Sequence, residues 1–416
     1  MSQKFFKLYY LFKNYLTDNK LIILIFLLLI FVRFHISFLG YLDFKYNKFL
    51  TLDAKVVNQY KKKNYYVLKL KTKILTFYTT TRENLKPLLN ENVNLTIITK
   101  NVTFLDYLFT FYAPSFNLKL KPITKIEEII EKQHKSEVMK NFYKALFLGE
   151  ALSFETRQKL STLGVSHLVA LSGLHLGFIS LLLYLILNPL YSFFQKRFFP
   201  YRNRFIDLAF IVFVLEFLYL HITSYPPSLI RAFILEVVVF LYAYYLQNPF
   251  SLKVLVFVFL FSFLIFGVKV LSVGYFLSIA GVFYIYLFFR YFKPSITGAL
   301  ILNFYMFCVM FIISHTFFGN FNVYQLFSPF VNILFSVFYP LEAFLHIIGL
   351  GGIFDNIILK YLSLGNNFIE FRVPFFMSVL FIILSIGAFF KKELFYGINL
   401  MSLIAIIYSI GVLVGI

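Results

Sequence analysis

At 416 residues the chain is long enough for two or three soluble domains. Its 60% hydrophobic content, 14% charged content and mean hydropathy of +0.79 exclude that class and point to a polytopic α-helical membrane protein. A lone cysteine, Cys308, excludes a disulfide framework or a cysteine-based metal centre within the chain. Lys and Arg number 39 against 19 Asp and Glu, and the net charge of +20 exceeds what helix orientation needs, so an anionic partner is expected.

Residues 1–20 carry Lys4, Lys7, Lys13 and Lys20, and an apolar run follows over 21–39. This pattern predicts a cytoplasmic tail and an uncleaved anchor over 1–40, with Arg33 and His35 snorkelling to the outer interface. The next segment is then extracytoplasmic. Hydrophobic density falls over 41–125, and alternating stretches at 49–57, 64–70, 73–80, 93–99 and 116–123 read as about five strands, the number of a small OB-like β-barrel. Fifteen basic and five acidic residues give this module a net charge of +10, half that of the chain.

Lys61, Lys62 and Lys63 fall in a hairpin beside Tyr65 and Tyr66, and Lys69, Lys71 and Lys73 share one sheet face. A basic track next to stackable rings suits single-stranded DNA held without sequence preference. A solvated basic face, or attraction to anionic lipid, would carry the same residues.

Residues 126–165 are amphipathic and read as helices lying at the interface. The bundle then occupies 166–416, with apolar stretches at 166–188, 206–222, 227–246, 252–268, 271–289, 296–317, 328–348, 373–390 and 396–416. The anchor brings the count to about nine or ten helices in contact with the lipid bilayer. Lys196, Arg197, Arg202, Arg204, Arg290 and Lys293 fall on the cytoplasmic side by this count, but Lys391 and Lys392 then lie outside, against the positive-inside rule. The conflict disappears if 328–348, interrupted by Asn332, Pro340, Glu342 and His346, re-enters instead of spanning.

Charge inside the membrane is costly and is usually paired or lines an aqueous route. Glu216 and Arg231 sit at similar depths on consecutive apolar runs, which predicts an ion pair acting either as a clamp or as part of a path. The densest polar cluster runs from Gly164 to Gly177. As one helix it would align Gly164, His167, Leu171 and His175 on a stripe with Ser172 beside it, and Gly173 and Gly177 would form a close-packing GxxxG pair. His167 and His175 would then be about 12 Å apart along the axis, too far to share a metal. Ala170-Leu171-Ser172-Gly173 resembles the serine loop of rhomboid intramembrane proteases, with His346 as a distant base. No GxxxxGK[ST] occurs, so a motor must be separate.

Gly149-Glu150, the run Gly164-Val165-Ser166-His167-Leu168-Val169-Ala170-Leu171-Ser172-Gly173-Leu174-His175-Leu176-Gly177 and Pro227-Ser228-Leu229-Ile230-Arg231-Ala232-Phe233 closely resemble the signature of the ComEC competence family. The likeness continues in Gly274-Tyr275-Phe276-Leu277-Ser278, Phe318-Gly319-Asn320, Asn332 and Pro340, and so covers most of 136–352. The resemblance implies a channel passing single-stranded transforming DNA across the bacterial cytoplasmic (inner) membrane. A small-molecule transporter and the serine protease are the alternatives. Expected partners are single-stranded DNA, a periplasmic DNA receptor, a separate cytoplasmic motor or single-strand-binding protein, and further copies of the chain. Phe276 departs from a common Gln, and the metallo-β-lactamase-like domain of many relatives has no counterpart here, as there is no H-x-H-x-D-H run. No catalytic residue, cofactor or metal is assigned.

Overall fold

A computed structural model describes residues 20–72, 75–82, 84, 90–122, 124–244 and 251–414. The expected cytoplasmic tail, apart from Lys20, and Lys73 lie outside these residues.

Helix α1 (Lys20–Tyr46) extends the apolar run by a further two turns and delivers the chain directly into the sheet. Arg33 is half-buried. Its guanidinium packs against Gly267, whose left-handed backbone (φ 61°) and missing Cβ leave the space.

Among the described residues six strands follow, β1 (Phe49–Lys61), β2 (Tyr66–Lys71), β3 (Thr76–Thr81), β4 (Asn92–Ile98), β5 (Phe111–Tyr112) and β6 (Ser115–Leu120), with the short helix α2 (Phe104–Leu108) before β5. They form one sheet in the order β5-β3-β2-β1-β4-β6. All pairings are antiparallel except β3 with β5. The closed barrel expected from the strand count is therefore replaced by a curled sheet. Its two edge strands are consecutive in sequence, separated by Ala113 and Pro114, so chain continuity rather than a hydrogen-bonded ladder draws the edges together. Pro114 suits the break because it has no N–H to donate. Strict alternation buries Val56, Leu68, Leu70, Phe77, Val93, Leu95 and Ile97 on one face, where Tyr41 and Phe44 from the end of α1 cover them.

Among the described residues three helices come next, α3 (Lys125–Lys132), α4 (Glu137–Leu148) and α5 (Phe154–Thr162), of which α3 and α4 are amphipathic. Thr124 and Glu127 form a capping box that starts α3. Met139, Tyr143, Leu146, Leu160 and Leu163 turn inward and make a core with Phe335 and Tyr339 of the bundle.

The bundle comprises α6 (Ser166–Val169), α7 (Gly173–Phe198), α8 (Arg204–Ile222), α9 (Pro227–Tyr244), α10 (Leu252–Phe266), α11 (Val273–Tyr291), α12 (Ile296–Phe317), α13 (Ser328–Ile347), α14 (Asp355–Ser363), α15 (Phe375–Ala388) and α16 (Lys392–Val414). Among the described residues, eight helices including α1 are long and apolar enough to cross a membrane, and α10 and α15 are shorter apolar helices. Tyr284, Phe288, Phe311 and Phe381 fill the bundle interior, while Leu185, Phe210, Leu334 and Ile407 lie exposed on its outside, as a lipid-facing surface requires.

Two sequence expectations fail here. Residues 166–188 are not one helix: the backbone is extended at Ala170 and Ser172, so α6 ends and α7 begins anew, and the projected stripe of Gly164, His167, Leu171 and His175 does not exist. Capping chemistry outweighs apolar periodicity, since Ser172 is the N-cap of α7. Conversely, 328–347 is an unbroken helix despite Pro340. Asn332 donates to Asn303 at 2.6 Å and Tyr143 donates to Glu342 at 2.8 Å, so these polar side chains find partners on neighbouring elements, and the helix runs through Pro340 at the loss of the one N–H that proline lacks.

Candidate functional site

The outward sheet face is built by the alternation that buries the core. Lys69 and Lys71 of β2 point away from Leu68 and Leu70. Opposite Lys69 stand Asn58 of β1 and Tyr78 of β3, with the Lys69 ammonium 5.7 Å from the Tyr78 ring centroid. Tyr60 lies 6.5 Å from Tyr78, and Tyr112 bonds Thr80 at 2.9 Å, extending the aromatic row across β1, β3 and β5. Lys61, Lys62 and Lys63 are exposed at the β1–β2 turn, which the Lys62 N–H closes onto the Tyr65 carbonyl at 2.8 Å. Tyr65 is exposed at that turn, and Tyr66 has the parity of the buried Leu68 and Leu70. The rings beside the lysine track are therefore Tyr60, Tyr78 and Tyr112, which side-chain parity on paired strands could have identified had the register been known.

One cation of this face is neutralised. Lys55, register partner of Lys71, reaches Glu127 at 3.1 Å and also bonds Glu150, joining the sheet to the helical layer. Asn90 supports the joint by donating to the Ala151 carbonyl at 2.6 Å. Burial raises the Glu150 carboxyl to about 7, against the pull of Lys55 and with help from its hydrogen bond to Glu127. Burial also opposes charge on Glu127, but hydrogen bonds from Glu150, the Thr124 N–H and Lys55 prevail and hold it at about 2. One carboxyl thus carries the shared proton and the other the charge.

Segments far apart in sequence converge where the helical layer meets the bundle. A Cβ on Gly149, which is left-handed (φ 71°), would lie 2.8 Å from the Leu171 side chain and 3.4 Å from Pro226. Ser228 donates to the Leu171 carbonyl at 2.5 Å. Gly164, also left-handed, packs on Gln325. His175 is fully buried, and its Nδ1 accepts the Ser172 N–H at 3.2 Å and lies 3.1 Å from the Ser172 hydroxyl. Its ring sets edge-on against Tyr339 with centroids 4.5 Å apart. His167 is exposed on α6. Ser172 is thus matched with His175 in a capping arrangement, whereas His346 is engaged with His134 and Glu342.

The expected ion pair between Glu216 and Arg231 is not formed. Ser180 of α7 hydrogen-bonds Glu216 and also Glu236, at 2.6 Å for the latter, so the two carboxyls gather around one hydroxyl. Equal depth along two helices did not reveal which way each side chain faces. Arg231 is buried where α9 meets α7 and α11, its Nε without a partner among the described residues and its electrostatic neighbours Tyr275 and Tyr286. It lies beside Gly173, where a Cβ would stand 3.9 Å from the Arg231 guanidinium and 3.4 Å from Ala232. Gly177, the other half of the expected packing pair, has open space around it, so only Gly173 serves close approach.

Comparisons with curated proteins and with solved structures give no match. The family model described as Competence protein matches residues 146–416, more than half of the chain and all of the bundle, so the chain belongs to the Competence protein family and has a role in DNA uptake during competence.

Proposed function

We propose that the protein conducts a single DNA strand across the bacterial inner membrane, receiving it on an extracytoplasmic, OB-like sheet and passing it into the bundle. The observation that carries this reading is the outward sheet face, where lysines interleave with Tyr60, Tyr78 and Tyr112 in the pattern that holds a polyanion by charge and its bases by stacking. Arg231 supports the second half: it is a buried cation with no carboxylate partner among the described residues, at the convergence of the signature segments, and phosphate is a group to which such a guanidinium donates. A periplasmic DNA receptor would deliver the substrate, and a separate cytoplasmic motor or single-strand-binding protein would supply the work. Association with further copies belongs to the same reading.

A deletion strain challenged with labelled DNA tests it. Label should collect in the periplasm and be absent from the cytoplasm. Normal transformation in that strain would overturn the proposal.

A further inference from the structure

A second polar group lies away from both the sheet face and Arg231, where the α3–α4 connection meets the far end of α13. His134 Nδ1 stands 2.9 and 3.1 Å from the two carboxylate oxygens of Asp355, at the start of α14. Its Nε2 faces the Nε2 of His346 at 3.0 Å. The Nδ1 of His346 in turn faces the Glu342 carbonyl at 2.8 Å and the Glu342 carboxylate at 3.2 Å. Tyr143 of α4 donates to that carboxylate at 2.8 Å and stacks on His134 with centroids 4.3 Å apart. These four groups, Asp355, His346, Glu342 and Tyr143, are the titratable neighbours of His134 from α4, α13 and α14.

Counting protons decides what this group binds. Ionised carboxylates and a carbonyl only accept, so both Nδ1 atoms must donate. Two nitrogens 3.0 Å apart need one further proton between them. The network therefore holds one proton more than two neutral imidazoles and two carboxylates supply. Burial works against an imidazolium at His134 and holds it below the ordinary histidine range, with Asp355 pulling the other way. The count follows from the geometry of the row and does not depend on where in it the extra proton resides. Without it, two lone pairs face each other or a carboxylate faces an unprotonated nitrogen, and one contact in the row is lost.

The surrounding backbone is shaped to this pair. A Cβ on Gly351 would fall 2.6 Å from the His346 ring, and the Gly351 N–H donates to the Gln133 side chain at 2.7 Å. A Cβ on Gly352 would fall 2.5 Å from the Gln133 carbonyl. Gln133 also donates to the His346 carbonyl at 3.1 Å.

We infer that His134 and His346, flanked by Asp355 and Glu342, form a buried proton-binding site whose single shared proton latches the interfacial helices to the end of α13. Binding one proton closes the latch, and losing it as pH rises releases the α13 end and the Gly349–Gly352 turn from the α3–α4 connection. The inference stands apart from the DNA reading, because its test measures a distance and not uptake.

Spin labels on cysteines at the exposed positions Lys135 and Ile353, in full-length Cys308→Ala protein in lipid nanodiscs, report the gap between the two elements. Across about pH 5 to about pH 8 the distance distribution should pass from one short, narrow population to a longer, broader one as pH rises. His134→Gln should abolish the pH response. Asp355→Asn, which keeps the shape and removes the flanking charge, should move the midpoint down by about one pH unit. A distribution that does not change with pH in the parent, or an Asp355→Asn midpoint that stays or rises, would overturn the latch. Either result can be read if His134→Gln does not accumulate.

Discussion

The Lys69 ammonium lies over the Tyr78 ring, 5.7 Å from its centroid, and the two residues are register partners on neighbouring strands. A ring already facing a cation offers a base a stacking surface with a phosphate partner beside it. Tyr78→Ala should weaken binding of a single-stranded oligonucleotide to the full-length protein by about 1–3 kcal/mol if one base stacks there. Titration in nanodiscs checks it, and an unchanged affinity would return the face to solvent.

Lys61, Lys62 and Lys63 act by charge alone, because the turn leaves them exposed. Changing all three to Glu should lower the slope of log affinity against log salt by about 2, at roughly 0.7 per lost single-strand phosphate contact. Affinities measured over a range of salt concentrations give that slope.

The joint between sheet and helices should be pH-dependent. Glu150 is raised from 4.5 to about 7, so the folded protein binds that proton more tightly than the unfolded chain does. Its stabilisation is full below the ordinary glutamate value and is lost as pH rises towards 7. Glu127, lowered to about 2, works in the opposite sense: its contribution is present above 4.5 and is lost as pH falls towards 2. Melting temperature should therefore decline between these two carboxyl ranges as pH rises from 4.5 to 7. In Glu150→Gln that decline should flatten while the loss in strong acid persists.

Because Arg231 has no carboxylate partner among the described residues, Arg231→Gln strands no buried negative charge there. The variant should accumulate in membranes at close to the parental level and fail in transformation. A collapse in protein level would make Arg231 a packing element of α9 and leave the phosphate contact without support.

Two glycines of the signature run should separate cleanly. Gly164 is left-handed, and a Cβ there would stand 2.6 Å from Gln325, so Gly164→Ala should cost about 1–2 kcal/mol from the backbone alone. Gly177 is helical with open space around it, so Gly177→Ala should leave the melting temperature unchanged or raise it. Equal losses in the two variants would contradict the packing described above.

Much of the architecture is legible from local pattern. The membrane class, the positions of most apolar helices, the five main strand segments and the amphipathic helices α3 and α4 follow from periodicity, because burial on one face is repeated along each element and needs no knowledge of its partner. Helix continuity is harder to read. The run from Gly164 to Gly177 is apolar enough for one helix, yet Ser172 prefers to cap; 328–348 has the residues of a broken segment, yet its polar side chains find partners on other helices.

Side-chain partnership was decided only by the tertiary structure. The sequence by itself determined that Glu216 and Arg231 lie inside apolar runs at similar depth, that lysines alternate along β2, and that histidines are concentrated in and around the bundle. It could not determine that Glu216 turns to Ser180 and Glu236, that Lys69 meets Tyr78, or that His134 and His346, 212 positions apart, meet nitrogen to nitrogen. The reason is geometric: periodicity specifies the face a residue occupies on its own element, whereas a hydrogen bond depends on the rotation and register of two elements, and packing of the whole chain sets both.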